Sequence, residues 1–329
     1  MIERFWSDLF RAKTGLPFLR SKEKEERGKQ NKTGKGSTTL DGSGLVVAEF
    51  DQIAEVYDET RRPLDEETVN GMKEMLTKHG CKTILEIGVG TGRVAFPLAS
   101  SGFDVTGVDI SRKMMDRAHA KGIENLVLAN GSQVPFKDRN FDATIMAHVF
   151  HLLEDPMSVL RESARVSKIG VFALVRKGRR WGRWQGFFYG TPETSKPDRI
   201  GDGVTDESTS KYFEERRQYF RALAEKYGWR PDFQLHARNW QREQEILESH
   251  PPDDLKIVSD IVVSESIKDR ISRFERGTYS SMLGMPEEMR KELIREMRAN
   301  AAEHPDRISQ PRNEVYQLAM WKPQKFTSD

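Results

Sequence analysis

Residues 83–92 read TILEIGVGTG, and no other stretch narrows the possible folds as far. Thr83, Ile84, Leu85 and Ile87 have the composition of a buried strand, and the strand breaks into glycines at 88, 90 and 92. Glycines at that spacing make a tight turn and let backbone N–H groups approach a ligand with no Cβ in the way. A helix is expected next. Two common ligands are disfavoured by the same residues. The dinucleotide fingerprint G-x-G-x-x-G/A needs Gly or Ala at the sixth position counted from Gly88, where Arg93 stands. The phosphate-cradling pattern G-x-x-x-x-G-K-[ST] is absent as well. Glu86, two residues before the first glycine, would repel a pyrophosphate and attract an ammonium. Asp109 ends the next strand-like run, nineteen residues past Gly90. A carboxylate there can accept both hydroxyls of a ribose.

Taken together, ExGxGxG (86–92), VDIS (108–111) and PFKDRNFDATIMAHVFHLLEDP (135–156) resemble class I S-adenosylmethionine (SAM)-dependent methyltransferases. Within them the pattern is most similar to the small-molecule branch that includes the ubiquinone and menaquinone biosynthesis enzymes. The motifs span 50–175, about two fifths of the chain. The resemblance implies an α/β fold: a Rossmann-like seven-stranded sheet with helices on both faces and a helical insertion before the last strand. It implies SAM as cofactor, held by Glu86, Gly88, Gly90, Gly92, Asp109, Ile110, Asn130, Gly131 and Ala147. At position 130 the family usually has an acid that holds the adenine amino group. The Asn130 oxygen can accept the same bond, or Asn130 simply turns the chain.

Composition bounds the rest. The 329 residues are 36% hydrophobic and 32% charged, so much of the length is solvated surface or tail. With 53 basic and 51 acidic residues the net charge is +2, which argues against a whole-protein field for nucleic acid. The lone Cys81 excludes an internal disulfide and fits a reducing, cytoplasmic setting, and the seven histidines show no metal-ligand spacing, so no metal is expected. No apolar run approaches the roughly 20 residues of a membrane span.

In chain order, 1–19 reads as an amphipathic helix, with Ile2, Phe5, Trp6, Leu9 and Phe10 on one stripe. A disordered basic linker follows over 20–47. Ten Lys and Arg against six Asp and Glu in 1–44 suit docking on an anionic membrane or a protein partner, while folding back onto the domain is the other reading. Helices are expected over 48–79, one of them at 50–63 resembling a lid from which Tyr57 closes over the methionine end. The cofactor-binding core runs over 80–178, with strands at 83–87, 104–108, 125–129, 141–147 and 169–175. His148, just past the fourth strand, is the candidate general base. The Asn/Asp-Pro-Pro-Tyr motif of amino-methyltransferases is absent there, which disfavours adenine-amino or amide methylation.

A basic and aromatic loop is expected over 179–204, where Arg179, Arg180, Trp181 and Trp184 suit stacking on a ring and holding an anion. The region 205–329 completes the sheet with strands at 255–263 and 315–321. Between them a helical cover over 267–302 places Arg273 and Tyr279 on the substrate side. Three readings of function follow: methyl transfer to carbon or oxygen of a small organic or lipid-like acceptor, RNA methylation through the Arg/Trp loop, and a non-catalytic SAM-binding module.

Overall fold

The computed structural model describes residues 50–177 except 52, 62 and 154, together with 207–229, 243–265, 267–276, 285–303 and 309–327. The 1–19 helix, the 20–47 linker and the 179–204 loop lie outside the described residues.

Seven strands form one sheet: β1 (Thr83–Ile87), β2 (Asp104–Asp109), β3 (Leu126–Leu128), β4 (Phe141–Ala147), β5 (Ser167–Lys177), β6 (Asp254–Glu265) and β7 (Ser309–Trp321). Their order is β3-β2-β1-β4-β5-β7-β6. The first five run parallel, and β7 is antiparallel to both its neighbours. All seven strands lie where the sequence puts them, although β7 begins at Ser309 rather than 315. Chain order reverses between β1 and β4, and open α/β sheets bind ligands beyond the carboxyl ends of their strands at such a point.

Period-two alternation sorts the strand residues between two cores. Ile84 packs with Met72, Met75, Leu76 and Leu98 on one face. Leu85 and Ile87 pack with Val159, Leu160, Ala164 and Trp321 on the other. Glu86 shares its side of β1 with Ile84, so alternation sends a carboxyl toward an apolar layer. The helices that cover these faces are set by their ends. Asp65 accepts the Thr68 N–H at 2.8 Å to start Glu66–Lys78, and Asp155 accepts from Met157 and Ser158, at 3.0 and 3.2 Å, to start Pro156–Val166. The insertion before β7 consists of Ile267–Glu275 and Glu287–Glu303. It has a core of its own, in which Phe274, Met289, Leu293 and Met297 meet Leu223 and Ala224.

One expectation needs correction. Residues 50–63 do not form a continuous helix: the chain turns at 54–56, and only Tyr57–Thr60 is regular helix beyond that point. The cause is tertiary. Asp51 accepts the Ser111 hydroxyl at 2.6 Å and Asp58 accepts the Thr91 hydroxyl at 2.6 Å, while Ile53 and Ala54 pack on Met114. Anchors at the ends of two different strands draw the segment apart in the middle.

Candidate functional site

The glycine turn is fastened to β2 along its length. Gly88 and Val89 donate to the Val108 carbonyl at 2.8 and 3.0 Å, and Gly90 donates to Asp109 Oδ2 at 2.8 Å. The other carboxylate oxygen, Oδ1, accepts the Ser111 N–H at 2.9 Å. Both Asp109 oxygens thus hold backbone amides, and each keeps a lone pair for a hydroxyl. Burial pushes the Asp109 carboxyl above its ordinary value; the Ser111, Gly90 and Ile110 amides oppose this, and Asp51 adds to it. Gly88 and Gly90 both have positive φ, 76° and 53°, but for different surroundings. A Cβ on Gly88 would stand 2.5 Å from Val149 Cγ1, whereas one on Gly90 would meet nothing within 4 Å. Gly88 is therefore needed for packing, and Gly90 presents bare backbone to open space.

Glu86 lies beneath this turn and is only 2% exposed. It is not at the mouth of the turn, as the sequence suggests, because alternation along β1 carries it inward. Burial pushes its carboxyl well above the usual carboxylate range; the Ala95 backbone amide opposes this, and the Asp109 charge adds to it. Its Oε2 is buried with no hydrogen-bond partner among the described residues. A buried carboxyl oxygen without a donor is costly, at about 1–3 kcal/mol, and a bound ammonium would satisfy it. The donor set fits SAM on that observation: Glu86 for the ammonium, Asp109 for the ribose hydroxyls, and the bare turn at Gly90 for close approach.

At the end of β3 the Asn130 side-chain oxygen accepts from the backbone N–H and the hydroxyl of Ser132, both at 3.0 Å. These contacts form an Asx turn, so an adenine amino group would compete with the Ser132 hydroxyl for that oxygen. Gly131 is tight against β1, with a Cβ placed 2.6 Å from Ile87 Cγ2. Past β4, Ala147 precedes His148, which takes a positive φ of 58° and sets its ring edge-on to Tyr316 at 5.4 Å. A non-glycine residue held in the left-handed region is strained, and such residues cluster at working sites. His151 is buried.

The 50–61 segment, expected as a lid, is tied to the turn. Tyr57 packs on Phe50, and Arg61 lies 4.8 Å above its ring. Lys121 pairs with Asp58 at 2.6 Å and donates to the Thr91 carbonyl at 2.8 Å, fixing the lid to the turn. Arg276, just past the first helix of the insertion, reaches Glu59 at 3.7 Å.

Among the expected site residues, Tyr57, Glu86, Gly88, Gly90, Gly92, Asp109, Ile110, Asn130, Gly131, Ala147 and His148 gather at the lid and the carboxyl edge of β1 to β4. Arg179, Arg180, Trp181, Trp184 and Tyr279 lie outside the described residues, as does the side chain of Arg273. The sequence reading misses Arg93 as a site residue. Arg93 follows the turn and sits in electrostatic range of Tyr316, Tyr57, Arg61 and Arg176; burial lowers its proton affinity, the tyrosines oppose that, and the two arginines add to it. Arg176, at the end of β5, donates to the Tyr316 hydroxyl at 2.9 and 2.6 Å and to Glu314 at 2.9 Å. The antiparallel register that pairs Arg176 with Tyr316 across β5 and β7 brings them together, and no spacing along the chain announces it.

No group of three or more His, Cys, Asp or Glu among the described residues is placed to hold a metal ion, and none of the described helices is long and apolar enough to cross a membrane.

Comparison with known proteins agrees with this geometry. A family described as a methyltransferase domain matches residues 85–175. An uncharacterized protein of Methanocaldococcus jannaschii is 39% identical over 125 residues, which are 37% of this chain and 57% of that one. The demethylmenaquinone methyltransferase of Thermotoga maritima is 34% identical over 137 residues, 40% of this chain and 57% of that one. The matched regions thus span little more than half the length of these relatives. A solved structure from Anabaena variabilis, of an antibiotic biosynthesis pathway protein, shares the fold with a TM-score of 0.50 over 78% of this chain and 98% of that one, at 13% identity. Residues 85–175 are therefore a domain of the class I SAM-dependent methyltransferase family, similar to that of the menaquinone-type enzymes.

Proposed function

We propose that the chain transfers the methyl group of SAM to carbon or oxygen of a small organic acceptor. The observation that carries this reading is the buried Glu86 oxygen without a donor, beneath a turn tied to the Asp109 carboxylate. An ammonium for the one and a ribose diol for the other are two ends of a single ligand. The relatives named demethylmenaquinone methyltransferase support a small organic acceptor. Bound there, SAM supplies an already activated methyl carbon, open to in-line displacement.

The chain's own task is then to orient the acceptor and exclude water. Tyr57 on the lid covers the methionine end. His148, beyond β4, takes the proton where the acceptor is a hydroxyl or an acidic carbon, and its edge contact with Tyr316 holds the ring in place. Gly88 and Gly90 keep the turn in shape, and Gly90 offers its open backbone.

Incubation with SAM labelled in the methyl group and a whole-cell extract, followed by separation into organic-soluble, RNA and protein fractions, tests the reading. Label is expected in the organic-soluble fraction and is expected to vanish with Asp109→Ala. Label confined to RNA or protein would contradict the acceptor class.

A further inference from the structure

We propose that the acceptor carries an anionic oxygen group, a carboxylate or a phosphate, and that Arg93 binds it with Arg176 and Arg61 beside it. The acceptor's identity rests on the methyltransferase reading; the anion site does not.

The starting point is an uncompensated cation. Arg93 Nε is buried with no hydrogen-bond partner, and among the described residues Arg93 makes no hydrogen bond or ion pair. A guanidinium cannot shed its proton to escape this cost, unlike a lysine or a carboxyl. The nearby guanidinium groups do not relieve it. Arg61 and Arg176 are like charges in range of Arg93. Glu314, which contacts Arg176 and Tyr316, pairs with Arg176 at 2.9 Å, and along the 50–61 segment Asp58 pairs with Lys121 at 2.6 Å and Glu59 with Arg276 at 3.7 Å. Tyr57 and Tyr316 line the group without neutralising it. An orphaned, fork-shaped donor with two further guanidinium groups in range matches the planar bidentate geometry of a carboxylate or phosphate.

Position assigns this anion to the acceptor rather than the cofactor. The cofactor contacts come from the turn after β1 and from Asp109 on β2. Of the groups in range of the guanidinium, Arg176 on β5 and Tyr316 on β7 lie on the opposite side of β1 from β2 in the sheet order, while Tyr57 and Arg61 come from the 50–61 segment; His148 is linked to them through its contact with Tyr316. The candidate base His148 touches the same Tyr316 ring that Arg176 covers at 5.1 Å. An acceptor anchored by its anion at Arg93 would therefore present its reacting atom between the base and the methyl group.

The test is calorimetric titration of the full chain with inorganic phosphate and, separately, with benzoate, each with and without S-adenosylhomocysteine (SAH). At least one probe is expected to bind with a Kd of about 1–10 mM, and the tighter of the two names the anionic group. Arg93→Gln is expected to weaken it about tenfold or more while SAH affinity changes less than about threefold. Arg93→Lys, which keeps the charge and loses the fork, should fall between them, and it serves in place of Arg93→Gln if circular dichroism shows that variant unfolded. Equal anion affinity in wild type and variant, no anion binding by the folded chain, or anion binding abolished by SAH, whose own carboxylate would then fill the site, overturns the proposal. Anion binding through Arg93 in a chain that ignores SAH would refute the cofactor reading and leave the anion site intact. Labelled product that an anion-exchange resin fails to retain would remove the acceptor from this site.

Discussion

Gly90 donates its backbone N–H to Asp109 Oδ2 at 2.8 Å, so the residue proposed to hold the ribose also fixes the turn that approaches the cofactor. Because Oδ1 holds the Ser111 amide at 2.9 Å, both oxygens already face donors. Asp109→Asn would set an NH2 against one of those two N–H groups. It is therefore expected to behave more like Asp109→Ala than like a conservative change. Each should weaken SAH by about a hundredfold, roughly 2.7 kcal/mol. Calorimetric titration of the three proteins checks this, and an Asn variant that binds as the wild type does would show that the two amides are not what matters.

Glu86 makes binding and stability depend on pH in opposite directions. Its carboxyl is raised by burial, so between the ordinary carboxylate value and the raised one the folded chain holds a proton that the unfolded chain has lost. Stability from this group accordingly falls as pH rises through that window. A ligand ammonium prefers the ionised carboxyl, so SAH affinity should rise across the same window, with proton release on binding below its upper end. Glu86→Gln should flatten both trends and weaken SAH about tenfold, near 1.4 kcal/mol. Thermal melts and titrations at several pH values, in two buffers of different ionisation enthalpy, read both trends.

The glycines should separate stability from binding. Gly88→Ala drives a Cβ to 2.5 Å from Val149 Cγ1 at a φ of 76°, and a loss of about 2–4 kcal/mol in unfolding free energy is expected. Gly90→Ala meets no atom within 4 Å and bears only the strain of its φ, about 1–2 kcal/mol. Its methyl nevertheless projects from the backbone expected to approach SAM. The Gly90 variant should thus lose more SAH affinity per unit of stability lost. Denaturant unfolding and titration, done on both, decide it.

Cys81 should be inert in the folded chain. It is 3% exposed, and burial, with the Asp142 charge nearby, pushes its thiol up to about 12. Reaction with a disulfide reagent at pH 8 is expected to follow global unfolding. Fast labelling of the native protein would show that the face of the sheet around Met72 and Leu76 opens locally.

The sheet was legible because strand composition and glycine spacing are local, and a run such as TILEI is read without knowing its neighbours. Asp155 and Pro156 announce their helix for the same reason. The lid was not, because the break at 54–56 depends on Asp51 and Asp58 finding Ser111 and Thr91 at the far ends of other elements. Asn130 shows the limit at finer scale: residue type matched a ligand role, and only the Ser132 contacts show its oxygen engaged. Arg93 served the sequence reading as a mismatch to a dinucleotide pattern. Its isolation is visible only once β5 and β7 pair and bring Arg176 and Tyr316 beside it.

Titration of the full chain with SAH, with NAD as a competitor, tests the central claim most directly. Binding in the micromolar range is expected at 1:1 stoichiometry, about 7–8 kcal/mol, unaffected by NAD and weakened about a hundredfold by Asp109→Ala. No heat from SAH with a folded chain, or displacement of SAH by NAD, would contradict the assignment of the Glu86 and Asp109 turn to SAM.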